Sequence, residues 1–94
     1  MVKYEIIYII DATLSEDEIK AMVEKFTAFI EANSTVEKID EWGKKKLAYL
    51  INKKSEGYYV CANVAAAPEF PALIERQFRI NEGILKHLIV KLDK

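Results

Sequence analysis

Three sets of residues in this chain have side chains suited to chemistry: an acidic triplet, one histidine and one cysteine. Glu16, Asp17 and Glu18 are consecutive. Paired carboxylates act as general acid and base when they flank a substrate with separated pKa values. This triplet instead follows Ser15 and precedes an apolar periodic run, where a helix begins and its macrodipole favours negative charge with no substrate present. A helix-start role is therefore expected. His87, the only histidine, stands in a strand-like stretch with no second ligand near it in sequence, so packing or surface contact is expected rather than metal binding or base catalysis. Cys61 lies among apolar neighbours in another such stretch and reads as a packing residue rather than a nucleophile. The three glycines, Gly43, Gly57 and Gly83, are isolated, and no phosphate-cradling loop is formed. No enzyme activity, metal or cofactor is expected.

Cations are arranged with more purpose. The whole chain carries a net charge of −1, which by itself argues against nucleic acid. Residues 1–41, however, hold four Lys and ten acids, whereas residues 42–94 hold ten Lys or Arg and five acids. This asymmetry predicts one basic surface on a nearly neutral molecule. Its densest part is Lys44, Lys45 and Lys46. On an edge strand, three consecutive lysines project to more than one side and suit a phosphate backbone. The same run would also discourage strand pairing between molecules. Lys53 and Lys54 read as solvent-facing turn residues, and Trp42 as a packing residue or a partner contact.

The elements that must position these groups follow from periodicity. Length and composition, 94 residues with 51% hydrophobic and 31% charged, predict one folded domain over residues 1–94. Lys3 to Ile10 reads as a central strand whose Tyr4, Ile6, Tyr8 and Ile10 share the core side. Ser15 with Glu18 makes a capping box, with Leu14 and Ile19 as its hydrophobic staple. Ile19, Met22, Val23, Phe26 and Ile30 then recur at helical spacing, ending near Asn33. Val36 to Asn52 alternates in two halves around Gly43, which predicts a bulged strand. Lys53 to Gly57 is expected as a turn, and Tyr58 to Ala65 as the hairpin partner. Pro68 and Pro71 suit the first turn of a second helix through Leu73, Ile74 and Phe78, ending near Asn81 or Gly83. Ile84 to Leu92 closes the series as a strand.

The order β-α-β-β-α-β predicts an α+β, ferredoxin-like sandwich: a four-stranded antiparallel sheet in order 4-1-3-2 with both helices on one face, packed through Phe26, Ile30, Leu73 and Phe78. The other face is left open and would carry Glu5, Ile7, Ile9, Tyr59, Cys61, Leu88 and Val90. It is apolar enough to invite a partner, and Ile7, Ile9, Trp42, Tyr59, Leu88 and Val90 are the expected protein-contact residues. A lone cysteine, apolar runs far shorter than the roughly 20 residues of a membrane span, and Glu5 near the N-terminus predict a cytoplasmic protein.

Ile7-Tyr8-Ile9 and Gly57-Tyr58-Tyr59-Val60 invite comparison with the aromatic strands of an RNA recognition motif. That motif stacks bases on the open face and places a basic residue before the strand-three glycine. Glu56 holds that place and Tyr8 belongs to the core side, so the match is weak. A more specific block is Trp42-Gly43-Lys44-Lys45-Lys46-Leu47-Ala48-Tyr49, followed by Ile51-Asn52-Lys53 and Gly57-Tyr58-Tyr59, with Tyr4-Glu5 in the first strand and Ile84-Leu85-Lys86-His87 in the last. With these, essentially the whole chain resembles the S-six family, the sixth protein of the bacterial small ribosomal subunit. That resemblance implies a ferredoxin-like fold and a ribosomal, structural role. It further implies binding to the central domain of small-subunit ribosomal RNA beside ribosomal protein S-eighteen. Lys3, Tyr4, Lys44, Lys45, Lys46, Lys86 and Lys91 are the expected RNA-contacting residues. Where the family usually has Arg, this chain has Lys45 and Lys46 and gives up a bidentate fork to phosphate. Two other readings compete: a homodimeric ligand-sensing domain of the same topology, for which Asp11-Ala12-Thr13-Leu14 is too ordinary a turn, and a single-strand binder resembling the RNA recognition motif.

Overall fold

The computed structural model describes residues 1–51 and 53–92, with Ala48 described by its backbone alone. The element order is β1 (Val2–Asp11), α1 (Glu16–Asn33), β2 (Thr35–Ile51), β3 (Lys54–Ala66), α2 (Phe70–Arg79) and β4 (Ile84–Leu92). All strand pairs are antiparallel, in sheet order β2-β3-β1-β4. Read from the other edge, this is the expected 4-1-3-2.

Alternation along β1 divides the two faces. Tyr4, Ile6, Tyr8 and Ile10 are at most 6% exposed and join one core with residues of both helices, so the helices cover one side of the sheet. At its centre the rings of Tyr8, Phe26 and Phe78 meet pairwise, with centroids 5.0–5.3 Å apart and tilted planes. These are favourable aromatic geometries.

The capping box starts α1 as read from sequence: the Glu18 amide donates to Ser15 Oγ at 3.2 Å, and the Ser15 amide donates to Glu18 Oε1 at 3.0 Å. Glu16, Asp17 and Glu18 fill the first turn, so the acidic triplet belongs to the helix start. Ile19, Val23, Phe26 and Ile30 face the core.

Helix α2 differs from expectation. It begins at Phe70 with Pro71 in its first turn and ends at Arg79, which leaves Pro68 in the preceding turn. Its buried stripe is Phe70, Ile74 and Phe78, spaced four residues apart. Leu73, expected in the core, lies about 100° around the helix from Ile74 and is 47% exposed.

The β2–β3 hairpin is also tighter than read. β3 already begins at Lys54, which pairs with Ile51, and Glu56 pairs with Lys46. Ser55 and Glu56, expected in the turn, sit in this strand. Lys53 takes a left-handed φ of 66° at the reversal; Asn52, expected in β2, lies outside the described residues. Lys54 is not a free turn lysine either, since its Nζ lies 3.5 Å from Asp11 Oδ2 and 3.3 Å from Thr13 Oγ1.

Candidate nucleic-acid interface

Strand β2 forms one edge of the sheet. Its ladder with β3 skips from Glu41 to Gly43, which makes Trp42 the extra residue of a bulge, and Gly43 sits at φ 85°. A side chain would be strained in that left-handed conformation, and glycine is not. The bulge turns Trp42 onto the open face, where its ring stacks loosely on Tyr59, with centroids 6.3 Å apart at 21°. Trp42 remains 44% exposed.

The three lysines follow immediately. Lys44 pairs with Tyr58, Lys45 with Gly57 and Lys46 with Glu56. Because Tyr58 pairs with core-facing Ile10, Lys44 and Lys46 project to the helix side of the edge, and Lys45 to the open face. Lys44 borders a hollow between α1 and β2 whose walls include Glu41 and Tyr58. The Tyr58 hydroxyl donates to Glu41 Oε1 at 2.7 Å, and that bond, followed by burial, raises the phenol's pKa. The Lys45 ammonium stands 5.6 Å from the centroid of the Trp42 ring, within cation–π range. All three lysines are exposed, and among the described residues none forms an ion pair.

Beyond Lys46 the regular ladder stops until Ile51, and the hairpin tip curls over the sheet. Leu47 is buried above the open face. The Lys86 ammonium on β4 donates to the Tyr49 hydroxyl at 2.7 Å, spanning 37 residues of sequence, and this bond raises the Lys86 pKa. Between tip and sheet lies a mostly apolar hollow of about 240 Å³, bordered by Ile7, Ile9, Leu47, Tyr49, Tyr59 and Leu88 among others. The open face is thus partly roofed. Ile9 and Cys61, expected on it uncovered, are 6% and 7% exposed, so Ile9 is not an accessible partner contact. Leu88 and Val90 remain exposed, and Ile7 and Tyr59 are half-buried.

Other expected contacts divide between locations. Tyr4 is 6% exposed within the core, because its strand position points it at the helices, and its ring cannot reach an RNA. Lys91 pairs with Tyr4 and therefore lies on the helix side, opposite Lys86, which pairs with Ile9. Lys3 is on the open side at the far end of β1, with its ammonium 3.1 Å from Glu37. Lys86 is linked to the hairpin tip that follows the lysine run, through Tyr49; Lys3 and Lys91 belong to neither. Sequence reasoning missed the Tyr49–Lys86 link. The only signal for it was that Leu47, Tyr49 and Ile51 share one side of a strand.

The remaining candidate chemistry is absorbed by packing. His87 stacks on Phe78 with centroids 5.2 Å apart, and its Nε2 lies 3.5 Å from Glu75. Burial, followed by the neighbouring Glu5 carboxylate, pushes the Cys61 thiol up to about 11, the wrong direction for a nucleophile. Among the described residues no cluster of His, Cys, Asp or Glu is arranged to hold a metal, and no helix is long and apolar enough to cross a membrane.

Residues 3–91 match the family model described as Ribosomal protein S6. The small ribosomal subunit protein bS6 of Clostridium perfringens is 49% identical over 95 residues, covering all of both chains. That of Alkaliphilus oremlandii is 40% identical over 94 residues, again covering all of both. The crystal structure of 30S ribosomal protein S6 from Thermotoga maritima superposes with a TM-score of 0.91 at 25% identity, over 97% of this chain and 87% of that one. The edge-strand lysines and the partly roofed apolar face are therefore carried on a fold shared with ribosomal proteins, and the chain belongs to the ribosomal protein S6 family of the small ribosomal subunit.

Proposed function

We propose that this chain, acting as one domain, binds the central domain of small-subunit ribosomal RNA together with ribosomal protein S-eighteen and catalyses nothing. The observation that supports this most is the exposed Lys44–Lys46 run, free of ion pairs among the described residues, on an edge strand where a bulge bends the chain. Unpaired lysines release counterions when they meet phosphate, whereas paired ones must first give up a partner. Lys86 adds a cation on the open face of β4, bonded to Tyr49 of the hairpin tip. The protein partner takes the exposed apolar residues of β4, Leu88 and Val90, with half-buried Ile7 beside them, at the sheet's second edge.

Because the net charge is −1, the chain alone has little long-range attraction to RNA, and much of the basic surface must come from the partner. The test is assembly of a central-domain RNA fragment with the chain, with S-eighteen, and with both. Strong retention of the chain is expected only in the three-component mixture. Failure to join RNA and S-eighteen at any salt concentration would sink the reading.

A further inference from the structure

We propose that the exposed ring of Trp42 is a stacking site for one unpaired base of RNA, with Lys45 binding that nucleotide's phosphate. This rests on the RNA-binding reading above and moves Trp42 from the protein-contact surface to the RNA surface. Trp42 is a large apolar side chain left 44% exposed at the sheet edge. Its backbone places it there through a bulge that Gly43, at φ 85°, makes possible. Tyr59 lies behind the ring, with centroids 6.3 Å apart, which limits the orientations of the indole and reduces the ordering entropy lost on binding. A cation stands beside it: the Lys45 ammonium is 5.6 Å from the ring centroid, while Lys44 and Lys46, on the same edge strand, project to the helix side.

An aromatic anchor for a protein partner would sit at the desolvated centre of an apolar patch, with charged residues depleted around it. Trp42 instead lies at the sheet edge, with the Lys45 ammonium beside its ring. A flat ring beside an ammonium group matches a nucleotide, with a π-face for the base and positive charge for its phosphate. The open face offers Trp42, on β2, and not Tyr8, which is 1% exposed in the core.

Trp42 is the only tryptophan, so its fluorescence reports on the site directly. A single-stranded RNA nonamer, and separately inorganic polyphosphate, are titrated onto the full-length chain at low salt; tryptophan-free S-eighteen and the central-domain fragment are then added. Stacking predicts that RNA quenches the emission and polyphosphate does not. Trp42→Leu should weaken RNA binding about 5- to 150-fold, the range for loss of one stacked base, and Trp42→Phe should keep most of the affinity. If Trp42→Leu does not fold, the wild-type quench decides alone. Equal quenching by polyphosphate would overturn the proposal, as would RNA binding with unchanged emission or an emission change that S-eighteen produces without RNA. Absence of RNA binding even with S-eighteen present would remove the underlying reading and this one with it.

Discussion

Replacing Phe26 by Ala tests the core that holds β2 in place. Phe26 is 1% exposed and its ring meets those of Tyr8 and Phe78, with centroids 5.3 and 5.0 Å away. Phe→Ala in a core costs about 3–5 kcal/mol through lost transfer energy and the cavity left behind. Each of the two aromatic pairs is worth roughly 0.5–1.5 kcal/mol beyond its area, and the cavity is enclosed by the sheet and both helices, where collapse is difficult. The upper part of the range, about 4–5 kcal/mol, is therefore expected. A domain of this size has a total stability of roughly 5–14 kcal/mol, so the variant should be close to unfolding. Urea titration followed by circular dichroism would show a lower midpoint with unchanged slope. Leu73→Ala supplies the contrast: Leu73 is 47% exposed and Ala favours helix, so a change within about 0.5 kcal/mol is expected. A loss below about 1 kcal/mol for Phe26→Ala, or a larger loss for Leu73→Ala, would refute the assigned helix faces.

Two further substitutions probe how the hairpin and its anchor are built. A Cβ at Gly57 would collide with Ile9 Cγ2 and stand 3.3 Å from Leu47 Cδ2, so Gly57→Ala should cost about 1–3 kcal/mol and loosen the tip, seen as faster amide exchange at Leu47 to Ile51; unchanged stability would mean the tip does not roof the sheet. Desolvation raises the Asp11 pKa, but bonds from Thr13 and the Lys54 ammonium outweigh it and leave the carboxyl below its usual 3.8. Its stabilisation is thus complete above the unfolded-state value and lost as pH falls through the lower folded-state value. Asp11→Asn should flatten the decline in stability between about pH 5 and pH 2, and an unaltered acid limb in urea titrations would contradict that.

Much of the fold was legible in the sequence because the signals were local. Tyr4, Ile6, Tyr8 and Ile10 alternate with β periodicity, and Ser15 with Glu18 marks the helix start to the residue. Leu73 misled because residue type was weighed above angular position, whereas Phe70, Ile74 and Phe78 define a straighter stripe. For the interface, the lysine run and Gly43 bulge were readable, but the curled hairpin was not. The bond from Lys86 to Tyr49 joins opposite edges of the sheet, and no local pattern encodes where an unpaired strand end folds back. The same curl covers Ile9, which strand alternation alone leaves exposed.

Binding of ribosomal RNA by the basic edge of β2 is tested most directly by salt dependence. Affinity for a central-domain fragment, with S-eighteen present, is measured across salt concentrations for the wild-type chain and for the combined Lys44→Gln, Lys45→Gln and Lys46→Gln variant. Every phosphate that a lysine no longer neutralises makes the slope of log K against log salt shallower by about 0.7–0.9. The variant, still folded, should bind more weakly with a slope shallower by about 2. Unchanged affinity and slope at matched salt would make the lysine run a guard against strand pairing, and would contradict an RNA-binding role for this edge.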